Sequence, residues 1–182
     1  MGILISLIKD VSTVGSSPAI FVIAFLVILY LVVKKDFLHV VTVVLSLCSG
    51  LYSSLLKLIF NEQRPAGYIT DEFIPWERIL KSEVYSFPST HTVLYTAFFG
   101  YLLYLSFKLK GVDKVVRHMT RFFCTLMIVF VGISRILLSA HFVKDVVFGY
   151  LFGLFYLGAV ICVDRLMNRC RNFWEKDKQK NR

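Results

Sequence analysis

The chain has 182 residues, of which 57% are hydrophobic and 18% charged, with a net charge of +9 at pH 7. This balance is wrong for a soluble fold and typical of a polytopic membrane protein. The positive charge does not require nucleic acid as a partner, because basic residues also collect in the cytoplasmic loops of membrane proteins. The length suits a single domain, which we expect to comprise residues 1–182.

Apolar runs follow one another along the chain. Residues 3–14 are too short to span and contain Lys9 and Asp10, so they predict an amphipathic helix at the membrane interface. Five later runs are long enough to cross a bilayer: 17–33, 37–60, 89–107, 121–140 and 143–163. The long connection 61–88 mixes aromatic and charged residues, an interfacial pattern. We therefore predict an all-α, polytopic transmembrane helix bundle with five spans and an N-terminal interfacial helix.

The basic residues indicate the orientation of this bundle. Of the 21 Lys and Arg residues, 14 lie after the first span, after the third span and in the tail 164–182. The positive-inside rule puts these segments in the cytoplasm and the N-terminus outside. His39 and His118 then lie on the cytoplasmic side without a suitably spaced carboxylate, and we expect them to be interfacial. The four cysteines have no spacing typical of a disulfide framework or a metal site.

Polar residues gather where the second and third spans meet the extracytoplasmic side. Lys57 and Arg64 are seven residues apart, about two helical turns, so both can point to one side. The third span begins with the sequence SFPSTHT, in which Ser86 or Ser89 is expected to cap the helix. Backbone N–H groups at a helix N-terminus bind anions.

A third cluster joins the fourth and fifth spans on the same side. Its residues are Arg135, His141 and Asp145. Three cations beside a helix N-terminus indicate a site for a phosphate group. Two histidines with one carboxylate indicate covalent phosphoryl transfer, in which one imidazole attacks and the other donates a proton. His141 and Asp145, at i and i+4, are within reach of each other. Because the sequence has no acidic cage for a divalent ion, we expect neither a metal nor another cofactor.

These three motifs resemble those of the type 2 phosphatidic acid phosphatase superfamily: K-x6-RP, then PSGH, then SR-x5-H-x3-D. The resemblance covers residues 57–145 in order. It implies that His141 is the nucleophile that forms a phosphohistidine, that Asp145 orients it, and that His91 is the general acid. The phosphate ligands that it implies are Lys57, Arg64, Ser89 and Arg135, and we add Thr90 from its place in the second motif.

Two features depart from the family pattern. Thr90 stands where the family usually has glycine, and we expect the turn there to be helical enough to accept any residue. Many family members have six spans, whereas five are predicted here, with residues 3–14 in place of the first.

The resemblance implies a membrane lipid phosphate as substrate. The compact chain is similar to bacterial members, so we expect the inner membrane, with the active site on the periplasmic face. We favour lipid A 1-phosphate; undecaprenyl pyrophosphate and phosphatidylglycerol phosphate are alternatives. Arg78 and Lys81 are expected to contact further anionic groups of a large headgroup. No nucleic acid or obligate protein partner is inferred. A non-catalytic lipid-binding protein is the alternative of another class, and its function would survive loss of His141.

Overall fold

The computed structural model describes residues 17–65, 77, 79–108 and 112–180. These residues form helices α1 (Ser17–Val33), α2 (Phe37–Leu47), α3 (Ser49–Phe60), α4 (Thr90–Lys108), α5 (Lys114–Leu137) and α6 (Val143–Lys180). The described residues contain no β-strand beyond one isolated bridge between Gln63 and Tyr85. The prediction of an all-α fold is confirmed. The predicted interfacial helix 3–14 lies outside the described residues.

Most of the predicted spans correspond to apolar helices. Three segments are long and apolar enough to cross a membrane: Phe37–Phe60, Lys114–Leu137 and Val143–Gln179. The first consists of α2 and α3, which meet at Cys48. A shorter apolar helix covers Ala19–Val33. Large apolar side chains are exposed along these helices, as lipid contact requires. The protein is an integral membrane protein, whereas the number of five spans stays a prediction.

Two helices extend beyond the apolar runs that predicted them. α5 begins at Lys114, seven residues before the predicted run, because the Asp113 carboxylate accepts hydrogen bonds from the N–H groups of Val115 at 2.8 Å and Val116 at 3.4 Å. α6 continues to Lys180, so the predicted basic tail is helical. At about 1.5 Å per residue, α6 is far longer than the roughly 30 Å hydrocarbon core. Its C-terminal part must therefore project beyond the bilayer.

Helix α4 is the centre of the bundle and packs closely against α6. Two glycines of α6 allow this approach. A Cβ atom at Gly149 would lie 2.9 Å from the Cβ of Thr92, and one at Gly153 would lie 2.7 Å from the Cβ of Thr96. The close packing places the start of α4, with His91 of the second motif, beside the start of α6, with Asp145 of the third motif.

A buried polar cluster lies at the opposite end of the bundle, around Asp164. Its carboxylate accepts hydrogen bonds from Tyr101 at 3.2 Å, from Tyr104 at 2.9 Å and from Lys108. His39 is buried here, with Nδ1 2.5 Å from Asp36 and Nε2 3.4 Å from Asp164. The expectation that His39 lacks a suitably spaced carboxylate was wrong: Asp36 lies three residues away, and Asp164 comes from α6.

Candidate active site

The residues of the three motifs converge at one end of the bundle. They come from the C-terminal ends of α3 and α5, the N-terminal ends of α4 and α6, and the connections between these helices. Seven of the eight predicted site residues are buried: Lys57, Ser89, Thr90, His91, Arg135, His141 and Asp145. The eighth, Arg64, keeps 11% of its side chain exposed. The structure therefore brings all eight together.

The loop before α4 is held by aromatic packing. The ring of Phe87 lies 4.9 Å from that of Phe60 in α3 and 5.3 Å from that of Phe148 in α6, measured between centroids. The peptide bond between Phe87 and Pro88 is cis. These contacts connect the loop to both neighbouring helices, so the residues that follow it are placed beside the ends of α3 and α6.

The start of α4 shows how the chain accepts a threonine at position 90, where the family motif usually has glycine. Thr90 is the first residue of the helix, and its backbone therefore does not need a positive φ. Of Ser86 and Ser89, it is Ser89 that directly precedes the helix. Its N–H donates to the carbonyl of Asp145 at 3.1 Å, and its Oγ accepts from Thr92 at 3.0 Å. The first backbone bond of the helix runs from Val93 to Ser89, so the N–H groups of residues 90–92 have no acceptor within α4.

Ser86 joins His141 to Asp145. Its Oγ donates to Asp145 Oδ2 and lies 3.2 Å from His141 Nδ1. The direct distance from His141 Nδ1 to Asp145 Oδ2 is 3.5 Å, and the same oxygen accepts from the N–H of Phe142 at 3.0 Å. Because the Ser86 proton is directed at the carboxylate, the oxygen of Ser86 is left to accept from Nδ1–H of His141. Asp145 is thus connected to the His141 ring partly through the hydroxyl group of Ser86.

The other ring nitrogen of His141 faces Arg64. The distance from Nε2 to the Arg64 guanidinium is 3.4 Å. A guanidinium only donates, so Nε2 must be the acceptor, which again places the ring proton on Nδ1. Burial lowers the pKa of His141 to about 4, although the nearby Asp145 carboxylate opposes this change. At neutral pH the imidazole is therefore uncharged, with its Nε2 lone pair directed towards the cations.

His91 occupies the same cluster. Its side chain is buried, and within the described part of the chain Nε2 has no hydrogen-bond partner. Arg135, Lys57 and Arg64 lie close enough for their charges to act on the ring. His91 and His141 are also near enough to influence each other electrostatically. Two imidazoles and three cations thus lie in one buried cluster.

Glu77 is a member of the cluster that the sequence analysis missed. It is 1% exposed, and its Oε1 accepts hydrogen bonds from Lys57 and, at 2.8 Å, from Thr90. The guanidinium of Arg64 lies 3.7 Å from the same oxygen. Burial alone would raise the pKa of Glu77, but the charges of Lys57 and Arg64 hold it below its usual value. The carboxylate is therefore ionised and neutralises part of the positive charge.

Two further expectations concern metals and the headgroup. Within residues 17–65, 77, 79–108 and 112–180, no group of three His, Cys, Asp or Glu side chains is arranged to hold a metal ion. Metal-independent chemistry stays a prediction.

Lys81 is exposed, as a residue in contact with a large headgroup would be, while Arg78 lies outside the described residues.

The fold and this cluster define a class of protein: a helical membrane protein with a buried, cation-rich cluster that contains two histidines. The sequence model of the PAP2 superfamily matches residues 19–168, and the chain belongs to this superfamily. It is 29% identical over 124 residues to phosphatidylglycerophosphatase B of Bacillus subtilis; the match covers 64% of this chain and 60% of that relative.

A solved structure supports the same fold. The crystal structure described as the first transmembrane PAP2 type phosphatidylglycerolphosphate phosphatase from Bacillus subtilis superposes with a TM-score of 0.72. The superposition covers 91% of this chain and 78% of that chain, at 20% sequence identity. At this identity the likeness concerns the fold.

Proposed function

We propose that this protein is a lipid phosphatase that acts through a phosphohistidine at His141. The observation that carries the proposal is the environment of the His141 ring. Nδ1 faces the Ser86–Asp145 pair, and Nε2 faces the Arg64 guanidinium at 3.4 Å. A neutral imidazole whose lone pair is directed into a group of cations is arranged to attack a bound phosphate.

The first chemical step forms a bond between His141 Nε2 and phosphorus, and it breaks the bond from phosphorus to the lipid oxygen. Lys57, Arg64 and Arg135 stabilise the negative charge on the other phosphate oxygens. His91 donates a proton to the departing lipid oxygen. The proton on His141 Nδ1 stays in its hydrogen bond, so Asp145 stabilises the positive imidazole that forms.

The second step returns the enzyme to its starting state. His91, now neutral, accepts a proton from a water molecule as that water attacks phosphorus. The bond from phosphorus to His141 breaks, and inorganic phosphate leaves. Ser89 and Thr90, with the N–H groups at the start of α4, bind the phosphate oxygens in both steps.

We propose phosphatidylglycerol phosphate as the first substrate to test, because both relatives are named for its dephosphorylation. The sequence analysis favoured lipid A 1-phosphate, and neither relative is named for that lipid. We also propose that the protein resides in a bacterial inner membrane. In this orientation the pocket opens to the periplasm and the basic end of α6 is cytoplasmic, as the distribution of Lys and Arg indicates.

The test is release of inorganic phosphate by purified protein in detergent with EDTA present. Phosphatidylglycerol phosphate, lipid A and undecaprenyl pyrophosphate would be assayed with the wild type and His141→Ala. His118→Ala is the matched control, since His118 is an exposed histidine near the start of α5. We expect release with the wild type and with His118→Ala. In His141→Ala the rate of phosphate release should fall at least about a thousandfold, as enzyme rates do when a nucleophile is removed.

Three outcomes would count against this proposal. Equal release by His141→Ala and the wild type would exclude His141 as the nucleophile. Lipid binding without release from any of the three lipids would favour the non-catalytic alternative. Loss of activity in EDTA that returns on addition of a divalent ion would contradict metal-independent chemistry.

A further inference from the structure

The position of Glu77 has a consequence for substrate choice, if the pocket binds phosphate as proposed above. Its Oε1 accepts from Lys57 and Thr90 and lies 3.7 Å from the Arg64 guanidinium. Three of the five proposed phosphate ligands therefore contact one oxygen of a single carboxylate. This network includes Thr90, the residue that departs from the family pattern, whose hydroxyl also accepts a hydrogen bond from Ser53 at 3.1 Å.

The charges in the pocket nearly cancel because of Glu77. Lys57, Arg64 and Arg135 provide three positive charges, and Glu77 and Asp145 provide two negative ones. Asp145 is directed at His141, so Glu77 is the acid that reduces the charge felt by a bound phosphate. A terminal phosphate group bound next to these cations also lies near the buried Glu77 carboxylate. Each additional negative charge on the ligand is repelled by that carboxylate.

We propose that Glu77 sets the charge selectivity of the pocket, favouring a phosphate monoester over a pyrophosphate. Pyrophosphate carries at least one more negative charge than orthophosphate at neutral pH. Removal of one buried negative charge within several Å should change the relative affinity for the two anions about tenfold. The carboxylate also holds Lys57, so its loss lowers the rate with both substrates, and the ratio between them is the informative quantity.

The test measures the binding of orthophosphate and pyrophosphate to the intact, detergent-solubilised protein by isothermal titration. The variant Glu77→Gln removes the charge and keeps the shape. Glu62→Gln makes the same change at the surface, where Glu62 is paired with Lys144, and is the matched control. We expect Glu77→Gln to shift the affinity ratio about tenfold towards pyrophosphate. The ratio for Glu62→Gln should stay within about twofold of the wild type.

Two other variants separate charge from shape. Glu77→Asp keeps the charge and should keep the wild-type ratio. If Glu77→Gln does not fold, Glu77→Ser removes the same charge, leaves room for water beside Lys57, and carries the same expected shift. An unchanged ratio in the neutral variants would overturn the proposal. So would an equal gain in affinity for both anions, because Glu77 would then compete with phosphate instead of selecting between ligands.

Because binding is measured without turnover, this result is separate from the proposed function. A shifted affinity ratio together with no phosphate release from any lipid would support the selectivity role and contradict the phosphatase. Phosphate release from a lipid together with an unshifted affinity ratio would support the phosphatase and contradict the selectivity role. Absence of measurable binding of either anion to the wild type would overturn the selectivity proposal as well.

Discussion

The hydroxyl of Ser86 lies between the imidazole of His141 and the carboxylate of Asp145. It donates to Asp145 and is 3.2 Å from Nδ1 of His141. Without it, the carboxylate would be left with a direct distance of 3.5 Å to the ring, too long for a good hydrogen bond. Ser86 is therefore a positioning residue that favours the tautomer with a lone pair on Nε2.

The variant Ser86→Ala tests this role. We expect kcat to fall on the order of 10- to 100-fold, the range observed for partners that orient a functional histidine, with little change in KM. Ser82→Ala is the control, because Ser82 is equally buried and its Oγ has no hydrogen-bond partner among the described residues. Steady-state phosphate release measures both constants. Equal activity of the two variants would show that Asp145 orients His141 without Ser86.

Helical spacing was the basis for predicting two pairs of site residues, Lys57 with Arg64 and His141 with Asp145, although neither pair lies on one helix. α3 ends at Phe60, before Arg64, and α6 begins at Val143, after His141. The members of each pair are nevertheless close, because Lys57 and Arg64 both approach Glu77 and His141 approaches Asp145.

The role of Ser86 was mistaken for capping, and Glu77 was missed altogether. Both lie between the predicted second and third spans, where the sequence gives no span from which to infer their positions in space. Their partners are distant in sequence: Glu77 contacts Lys57 and Thr90, and Ser86 contacts His141 and Asp145.

At the scale of helices, the α4–α6 contact determines the geometry of the site. Gly149 and Gly153 face Thr92 and Thr96, and the backbone of α4 is also close: Ser89 O and Val93 O would lie 3.2 and 3.0 Å from the added Cβ atoms. Backbone atoms cannot move aside as a flexible side chain can. A larger residue at either position must therefore separate the start of α4, with His91, from the start of α6, with Asp145.

We expect Gly153→Ala to lower both thermal stability and activity. Overpacking typically costs about 1–3 kcal/mol, more than the roughly 1 kcal/mol that alanine gains over glycine in a helix. Gly158→Ala is the matched control on the same helix, since nothing lies within 4 Å of its added Cβ. Its melting temperature in detergent should equal or exceed that of the wild type. A higher melting temperature for Gly153→Ala would show that the two helices can separate without cost.

The apolar runs predicted the positions of the helices more accurately than they predicted the helix ends. The start of α5 is set by the side chain of Asp113, which a search for apolar residues does not detect. The continuation of α6 beyond residue 163 follows from the sequence DRLMNRCRNFWEKDKQK, which contains neither Gly nor Pro. This segment is charged, so it was expected only as a solvated tail. Helix propensity, in addition to hydropathy, would have indicated that the helix continues.

At the scale of the whole molecule, the two ends of the bundle differ in chemistry. One end carries the cation-rich pocket, and the other carries the buried Asp164 cluster with Lys108 and His39. From Val143 to Asp164, α6 rises by about 31 Å, close to the thickness of the hydrocarbon core. We therefore expect the two polar clusters to lie near the two membrane surfaces, with the basic part of α6 beyond the second one.

The proposed orientation can be tested by cysteine labelling. Cys170 is exposed on the projecting part of α6, and Glu62 is near the pocket. In variants with a single cysteine, we expect a membrane-impermeant maleimide to label Glu62→Cys in intact spheroplasts. Cys170 should be labelled only after the membrane is disrupted. Labelling of Cys170 in intact spheroplasts would reverse the orientation and place the pocket in the cytoplasm.

In the proposed mechanism, His141 forms a covalent bond to the phosphate of a lipid. The most direct measurement is a single-turnover reaction with phosphatidylglycerol phosphate that carries ³²P in its terminal phosphate. The reaction is quenched in alkali, in which phosphohistidine survives, and the labelled peptide is identified by mass spectrometry. The account predicts ³²P on His141 in the wild type and none in His141→Ala. Phosphate release without labelled protein, or label on any other residue, would contradict it.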